Sequence, residues 1–329
     1  MKLIKKIAIV IAVLALVYVL GPNPSTPAYS TNLPSVPSNA NALDSFVKAK
    51  EKALPVKENN EARIIWQNDS LKTKTPYAIV YLHGFSASQE EGNPLHQNIA
   101  KQFGCNLYLS RLSDHGLKQT EELENLTAEN YWQAALQAFA IGKQLGQKVI
   151  IMGTSTGGTQ ALQLAYTFPN EVEACVLLSP NIAINDPNAW LLNNPWGLQI
   201  ARLVKGGNYN EVENCKRPEY AKYWNCKYRL EAAVQLQEML ETTMIKENFS
   251  KITCPVLTLG YYKDEANQDK VVKVSAMKNM IEQIASKNKK FVAIPKAENH
   301  VLGSPILSKD VEGVQKEVSA FLSTVIKQN

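Results

Sequence analysis

Histidine is scarce in this chain, four among 329 residues, and no CxxC pair or His-rich cluster with metal-ligand spacing accompanies it. A structural zinc, which needs close-set Cys and His ligands, therefore has no support, and no metal or organic cofactor is expected. Nor is there a basic stripe with interleaved aromatics. The net charge is only +5, and Lys2, Lys5 and Lys6 stand at the extreme N-terminus. Nucleic acid is excluded as a partner on that ground. Internal repeats are missing too, and no cysteine precedes Cys105, so the N-terminus offers no thiol for lipid attachment.

What is present begins with those lysines and the uncharged apolar run from Ile7 to Leu20, closed by Gly21-Pro22. A basic segment followed by an apolar one is the pattern of an export signal. Residues 1–20 are expected to be a signal peptide or a signal anchor, with the lysines held inside and the rest of the chain delivered outside the cytoplasm. The product would be anchored in the inner membrane through this segment, or periplasmic or secreted after cleavage near Ala28-Tyr29-Ser30. Residues 21–43, rich in Pro, Ser and Asn and without periodicity, read as a disordered linker. Of the five cysteines, Cys105, Cys175 and Cys254 fall in apolar strand-like runs and read as buried thiols. Cys215 and Cys226 flank a polar, aromatic stretch, where an oxidising compartment would let them pair.

From residue 44 to 329 strand-like and helix-like segments alternate. "YAIVYLHG", "CNLYLSRL", "KVIIMG", "EACVLLSP", "CPVLTLGYY" and "KKFVAIP" read as strands. Helical spacing runs through 127–146, 156–168, 274–286 and 310–328. The strands are continuously apolar rather than alternating, which is the mark of strands covered by helices on both faces and hence of a parallel sheet. The expected fold class is α/β, a doubly wound, mostly parallel sheet. Its rhythm breaks over about 181–250, where Trp190, Trp196, Tyr209, Tyr220, Tyr223, Trp224 and Tyr228 cluster. This stretch reads as a lid inserted over the carboxyl edge of the strands, where open α/β sheets place their sites.

Between "KVIIMG" and the following helix lies Gly153-Thr154-Ser155-Thr156-Gly157, a G-x-S-x-G string. A sharp strand-to-helix turn exposes its serine, and glycines two positions either side remove side chains that would clash there. With "HGF" at 83–85 and Gly158 extending the serine motif to GxSxGG, the chain resembles the α/β-hydrolase fold, in particular the monoacylglycerol lipase and serine aminopeptidase branch. The resemblance covers residue 44 to the C-terminus apart from the lid. It implies a nucleophile, acid, histidine order along the chain. Ser155 is then the nucleophile and His300, between the last strand and the last helix, the base. His83 would form the turn beside an oxyanion hole built from the backbone amides of Phe85 and Thr156, and His115 a Gly-His-Gly-like turn.

Two aspartates compete for the acid. Asp264 lies nearer the strand "PVLTLGYY", whereas Asp269 matches the family's Asp-x-Val-Val and is followed by Val271 and Val272, expected to anchor it to the core; Asp269 is the preferred candidate. The resemblance implies a serine hydrolase acting on a small-molecule acyl ester through an acyl-enzyme. A serine aminopeptidase is the alternative, and would need a lid carboxylate such as Glu211, Glu213, Glu219 or Glu231 for the substrate's amine. A non-catalytic binding module on the same fold is a third reading.

Overall fold

The computed structural model describes residues 2–326; Met1 and residues 327–329, which end the expected export segment and final helix, lie outside the described residues. In chain order the elements are α1 (Lys2–Val19), α2 (Ala40–Lys52), β1 (Arg63–Ile65), β2 (Thr75–Leu82), α3 (Leu95–Gln102), β3 (Asn106–Leu109) and α4 (Ala128–Leu145). These are followed by β4 (Gly146–Thr154), α5 (Thr156–Thr167), β5 (Val172–Leu178), α6 (Gly197–Lys205), β6 (Tyr209–Glu211), α7 (Pro218–Tyr223) and β7 (Lys227–Arg229). Last come α8 (Leu230–Thr243), α9 (Lys246–Phe249), β8 (Val256–Gly260), α10 (Val274–Gln283), β9 (Lys289–Ala293) and α11 (Val311–Val325).

Seven strands form one sheet in the order β1-β3-β2-β4-β5-β8-β9, parallel throughout except for the antiparallel edge strand β1. The apolar runs explain this arrangement. Ala78, Val80 and Leu82 of β2, Val149 and Ile151 of β4, and Cys175 and Leu177 of β5 enter one core with α4, α5 and α8. Their alternates, Ile79, Tyr81, Ile150, Met152, Val176 and Leu178, enter a second core against α3 and α11. Both faces of the central strands are thus buried, and the doubly wound layout follows. Cys105, Cys175 and Cys254 are buried free thiols.

Three expectations change. Residues 21–39 are a packed coil and 40–43 open α2, not a disordered linker: Trp132 Nε1 donates to Ser30 O at 2.7 Å, the Tyr29 hydroxyl bonds Thr242 at 3.0 Å, and Tyr29, Leu33 and Val36 pack on the core. Sparse but well-spaced apolar residues are enough to pin an extended segment that has no periodicity of its own. Second, the apolar run does form the helix α1, exposed along its length, yet among the described residues no helix is long and apolar enough to cross a membrane. Third, the lid is shorter than 181–250. Within that stretch α8 puts Ala232, Leu236, Met239 and Leu240 into the main core. The roof proper is α6, the β6–β7 hairpin and α7, with Cys215 and Cys226 joined as a disulfide.

Candidate active site

The site is assembled at the carboxyl ends of β2, β4 and β8. At the end of β4 the chain turns directly into α5, and Ser155 sits on the turn with φ 52° and ψ −118°, a left-handed conformation a side-chain-bearing residue adopts only under constraint. The constraint is visible. Ser155 N donates to Leu178 O at 2.9 Å, and Ser155 O accepts from Gly158 N, Thr159 N and Asn181 N at 2.9, 3.2 and 2.9 Å. A Cβ at Gly157 would lie 2.0 Å from Leu82 O, so only glycine lets α5 pass that close to β2. The elbow expected from the sequence is present.

His300 lies after β9, as expected, and its Nδ1 is 2.6 Å from Asp269 Oδ2. Asp269 is 1% exposed, and its Oδ1 accepts from the backbone N–H groups of Val271 and Val272 at 2.8 and 3.2 Å. Burial alone would raise this carboxyl's pKa, but the His300 charge and these hydrogen bonds hold it below the usual carboxylate value. The reverse balance holds for His300: burial opposes its protonated form, yet the charge of Asp269 and its hydrogen bond leave the imidazole more basic than usual. Between the two aspartates the geometry favours Asp269. Asp264 is exposed and spends its carboxylate on Ala266 N and Asn267 within its own turn. One detail differs from expectation. Val272 is buried, but Val271 is 52% exposed, so it is the two backbone amides more than the two side chains that hold the carboxylate.

The other three histidines are scaffold. Leu112 N donates to His83 Nε2 at 2.9 Å, so Nδ1 carries the proton and donates to Gly84 O. In the same way Ser86 N donates to His115 Nε2 at 3.0 Å, leaving Nδ1–H for Ser113 O. Burial drives the pKa of His83 far down and those of His115 and His96 to about 4, so all three remain neutral. Their work is to shape the loop carrying Phe85. The amides of Phe85 and of Thr156, the first residue of α5, donate to no backbone acceptor among the described residues. Phe85, Thr156, Ser155 and His300 all line one cavity of about 610 Å³. Ser155 Oγ and His300 do not meet hydrogen-bond geometry in this conformation; such contacts often tighten only around substrate.

The cavity walls are mostly apolar: Leu191, Ile200, Val204, Leu236, Val271 and Val301, with Tyr220, Trp224 and Tyr228 from the roof. Trp190, Trp196, Tyr209 and Tyr223 lie outside the lining. None of Glu211, Glu213, Glu219 and Glu231 reaches it; Glu231 is held by Arg202 and Arg229. One lining residue escaped the sequence reading. Glu91, in the loop after "HGF", accepts from Gly84 N and lines the cavity with Ser155. Nothing in "SASQEEG" distinguishes it from a solvated loop acid. Among the described residues, no group of His, Cys, Asp and Glu is arranged to hold a metal ion.

The family described as serine aminopeptidase, S33 (Hydrolase_4) has a model that matches residues 77–303. The chain belongs to this family. A curated relative, the thermostable monoacylglycerol lipase of Bacillus sp. (strain H-257), is 26% identical over 219 residues, covering 67% of this chain and 81% of the relative. Among solved structures, one from work on LipS and LipT, two metagenome-derived lipolytic enzymes, superposes with a TM-score of 0.66 at 17% identity, covering 82% of this chain and 99% of the other. Est1E of Butyrivibrio proteoclasticus with ferulic acid bound gives 0.57 at 20% identity, covering 82% and 96%. At such identities the structural likeness speaks for the fold, and the protein is a lipase- and esterase-like α/β-hydrolase.

Proposed function

We propose that the protein hydrolyses carboxylic esters of short or medium apolar acyl chains through an acyl-enzyme on Ser155. The observation that carries this reading is the Asp269–His300 pair at 2.6 Å, opening onto the same apolar cavity as the strained Ser155. His300 Nε2 takes the hydroxyl proton as Oγ attacks the ester carbonyl carbon, and Asp269 stabilises the imidazolium that results. The N–H groups of Phe85 and Thr156 receive the carbonyl oxygen as it becomes negative. The C–O bond to the alcohol then breaks, and His300 returns its proton to the departing alkoxide. Water, deprotonated by the same imidazole, attacks the acyl-enzyme and releases the carboxylic acid and Ser155.

Ester is favoured over aminoacyl amide because Glu211, Glu213, Glu219 and Glu231 stand clear of the cavity. Asp186 does line it, but at the exposed rim, with its Oδ1 accepting Asn188 N. The deeper carboxyl, Glu91, has its pKa pushed up to about 8 by burial and is a poor partner for an ammonium group at neutral pH. Purified protein should react with a fluorophosphonate probe and hydrolyse acyl esters faster than aminoacyl amides. The reverse preference would transfer the assignment to aminopeptidase; no labelling would leave a binding module. The same proposal extends to compartment. The lysine-led apolar N-terminus supports export, as does the Cys215–Cys226 disulfide, which persists only where thiols are not kept reduced. A C-terminal reporter active only in the cytoplasm would refute it.

A further inference from the structure

We propose that Glu91 is a positioning residue for acyl transfer: as a neutral carboxylic acid it holds the Gly84 peptide of the loop that carries the Phe85 N–H, and keeps negative charge out of the oxyanion pocket. This rests on the ester-hydrolase reading above. The geometry is specific. Glu91 is 2% exposed, its Oε2 accepts from Gly84 N, and it lines the cavity shared by Ser155 and His300. Both carboxyl oxygens and Ser155 Cβ lie 3.0 Å from the point where a side chain on Gly84 would begin. A side chain there would press on both the carboxyl and the serine.

Glu91 itself has little freedom. Its N–H donates to Ser88 O at 3.2 Å, and the next residue, Gly92, lies so close to the Tyr81 ring that a Cβ there would be 2.4 Å from Cζ. Among the described residues no Lys, Arg or His nitrogen forms an ion pair with the carboxyl. A carboxylate buried without a cation takes up a proton rather than remain charged. Burial, only partly offset by the Gly84 N–H and by His300, agrees with this, raising its pKa to about 8. An anion at this place would repel the oxyanion forming on the substrate, so the rate should fall as Glu91 ionises.

The groups facing it do not confuse that limb. Tyr81 of β2, Tyr131 of α4 and Tyr220 of α7 have hydroxyls pushed above the ordinary phenol range by burial. His83, beside Gly84, is held neutral, and His300 titrates on the acid side of the profile. The test is kcat and KM for a neutral ester from pH 6 to 10 in wild type, Glu91→Ala and Glu91→Gln. The alanine variant should lose about 10²-fold in kcat with KM within about threefold, the low end of losing an oxyanion donor. Glutamine, which keeps an acceptor for Gly84 N–H and cannot ionise, should recover to within about tenfold of wild type at pH 7. Its kcat should hold level past about pH 9 while wild type declines through about pH 8.

Coincident profiles for wild type and Glu91→Gln above pH 7, or an alanine effect confined to KM, overturn the proposal. If the alanine variant does not fold, the glutamine profile decides alone. A wild type that neither labels with fluorophosphonate nor turns over esters removes the parent reading instead.

Discussion

The floor and the roof of the cavity are built on different principles. The floor consists of strand ends and tight turns held by backbone contacts: Ser155 is locked by four main-chain hydrogen bonds, and Asp269 accepts from two main-chain amides. The roof consists of three-residue strands and short helices held largely by side chains, with a few backbone bonds such as Asn225 N to Ser86 O at 2.6 Å. Arg229 reaches Glu121 at 2.8 Å and Glu231 at 2.5 Å, Tyr220 stacks on Trp224 with ring centroids 4.4 Å apart, and Cys215 is bonded to Cys226. Partly exposed ion pairs such as those of Arg229 stabilise weakly, on the order of 1 kcal/mol each or less. The floor should therefore set whether chemistry occurs, and the roof which substrate reaches it.

The largest effect expected is at the nucleophile. Ser155→Ala should abolish probe labelling and reduce turnover by about 10⁶-fold while thermal unfolding is little altered; persistent labelling would show that the floor's chemistry lies elsewhere. Next, Asp269→Asn should lower kcat by about 10⁴-fold with the fold intact. Asp264→Asn should be near neutral, since its carboxylate serves only its own turn. If these two are reversed, the floor has been assigned to the wrong aspartate.

Smaller again is the acid limb. Only neutral His300 can accept the serine proton, and its pKa lies above the ordinary histidine value, so kcat/KM should fall about tenfold per pH unit below a midpoint above 6.5. Asp269→Asn should move that midpoint down. An unshifted midpoint would detach the acid limb from this pair. The smallest effect on chemistry should come from the roof: replacing Cys215 and Cys226 by serine should cost about 2–3 kcal/mol of local stability. Proteolysis of the 205–229 segment should quicken and acyl-chain preference should broaden, while probe labelling of Ser155 continues. Lost labelling would mean that the roof also holds the floor in shape.

The same division explains what could be read beforehand. The floor announces itself along the chain because backbone geometry restricts residue type: an elbow needs glycines at 153 and 157, and the apolar runs around them are what a sheet covered on both faces demands. The identity of the acid was narrowed to two positions, with Asp269 preferred on its Asp-x-Val-Val match and Asp264 left open. An aspartate's role depends on which amides point at it, and that depends on how a loop closes. Glu91 was invisible for a related reason: a loop acid becomes a buried one only when β2, the Gly84 turn and the roof close around it.

By itself, then, the sequence determined the alternating α/β layout, the serine elbow, the histidine after the last strand and the apolar N-terminal segment, because periodicity and backbone restriction are local. Tertiary structure alone decided that residues 21–43 are pinned against α4 and α8, that α8 belongs to the core and not the roof, that Cys215 and Cys226 meet, and that Asp269 rather than Asp264 faces His300. Each of those depends on partners far apart in the chain, whose approach is set by packing and not by the residues on either side.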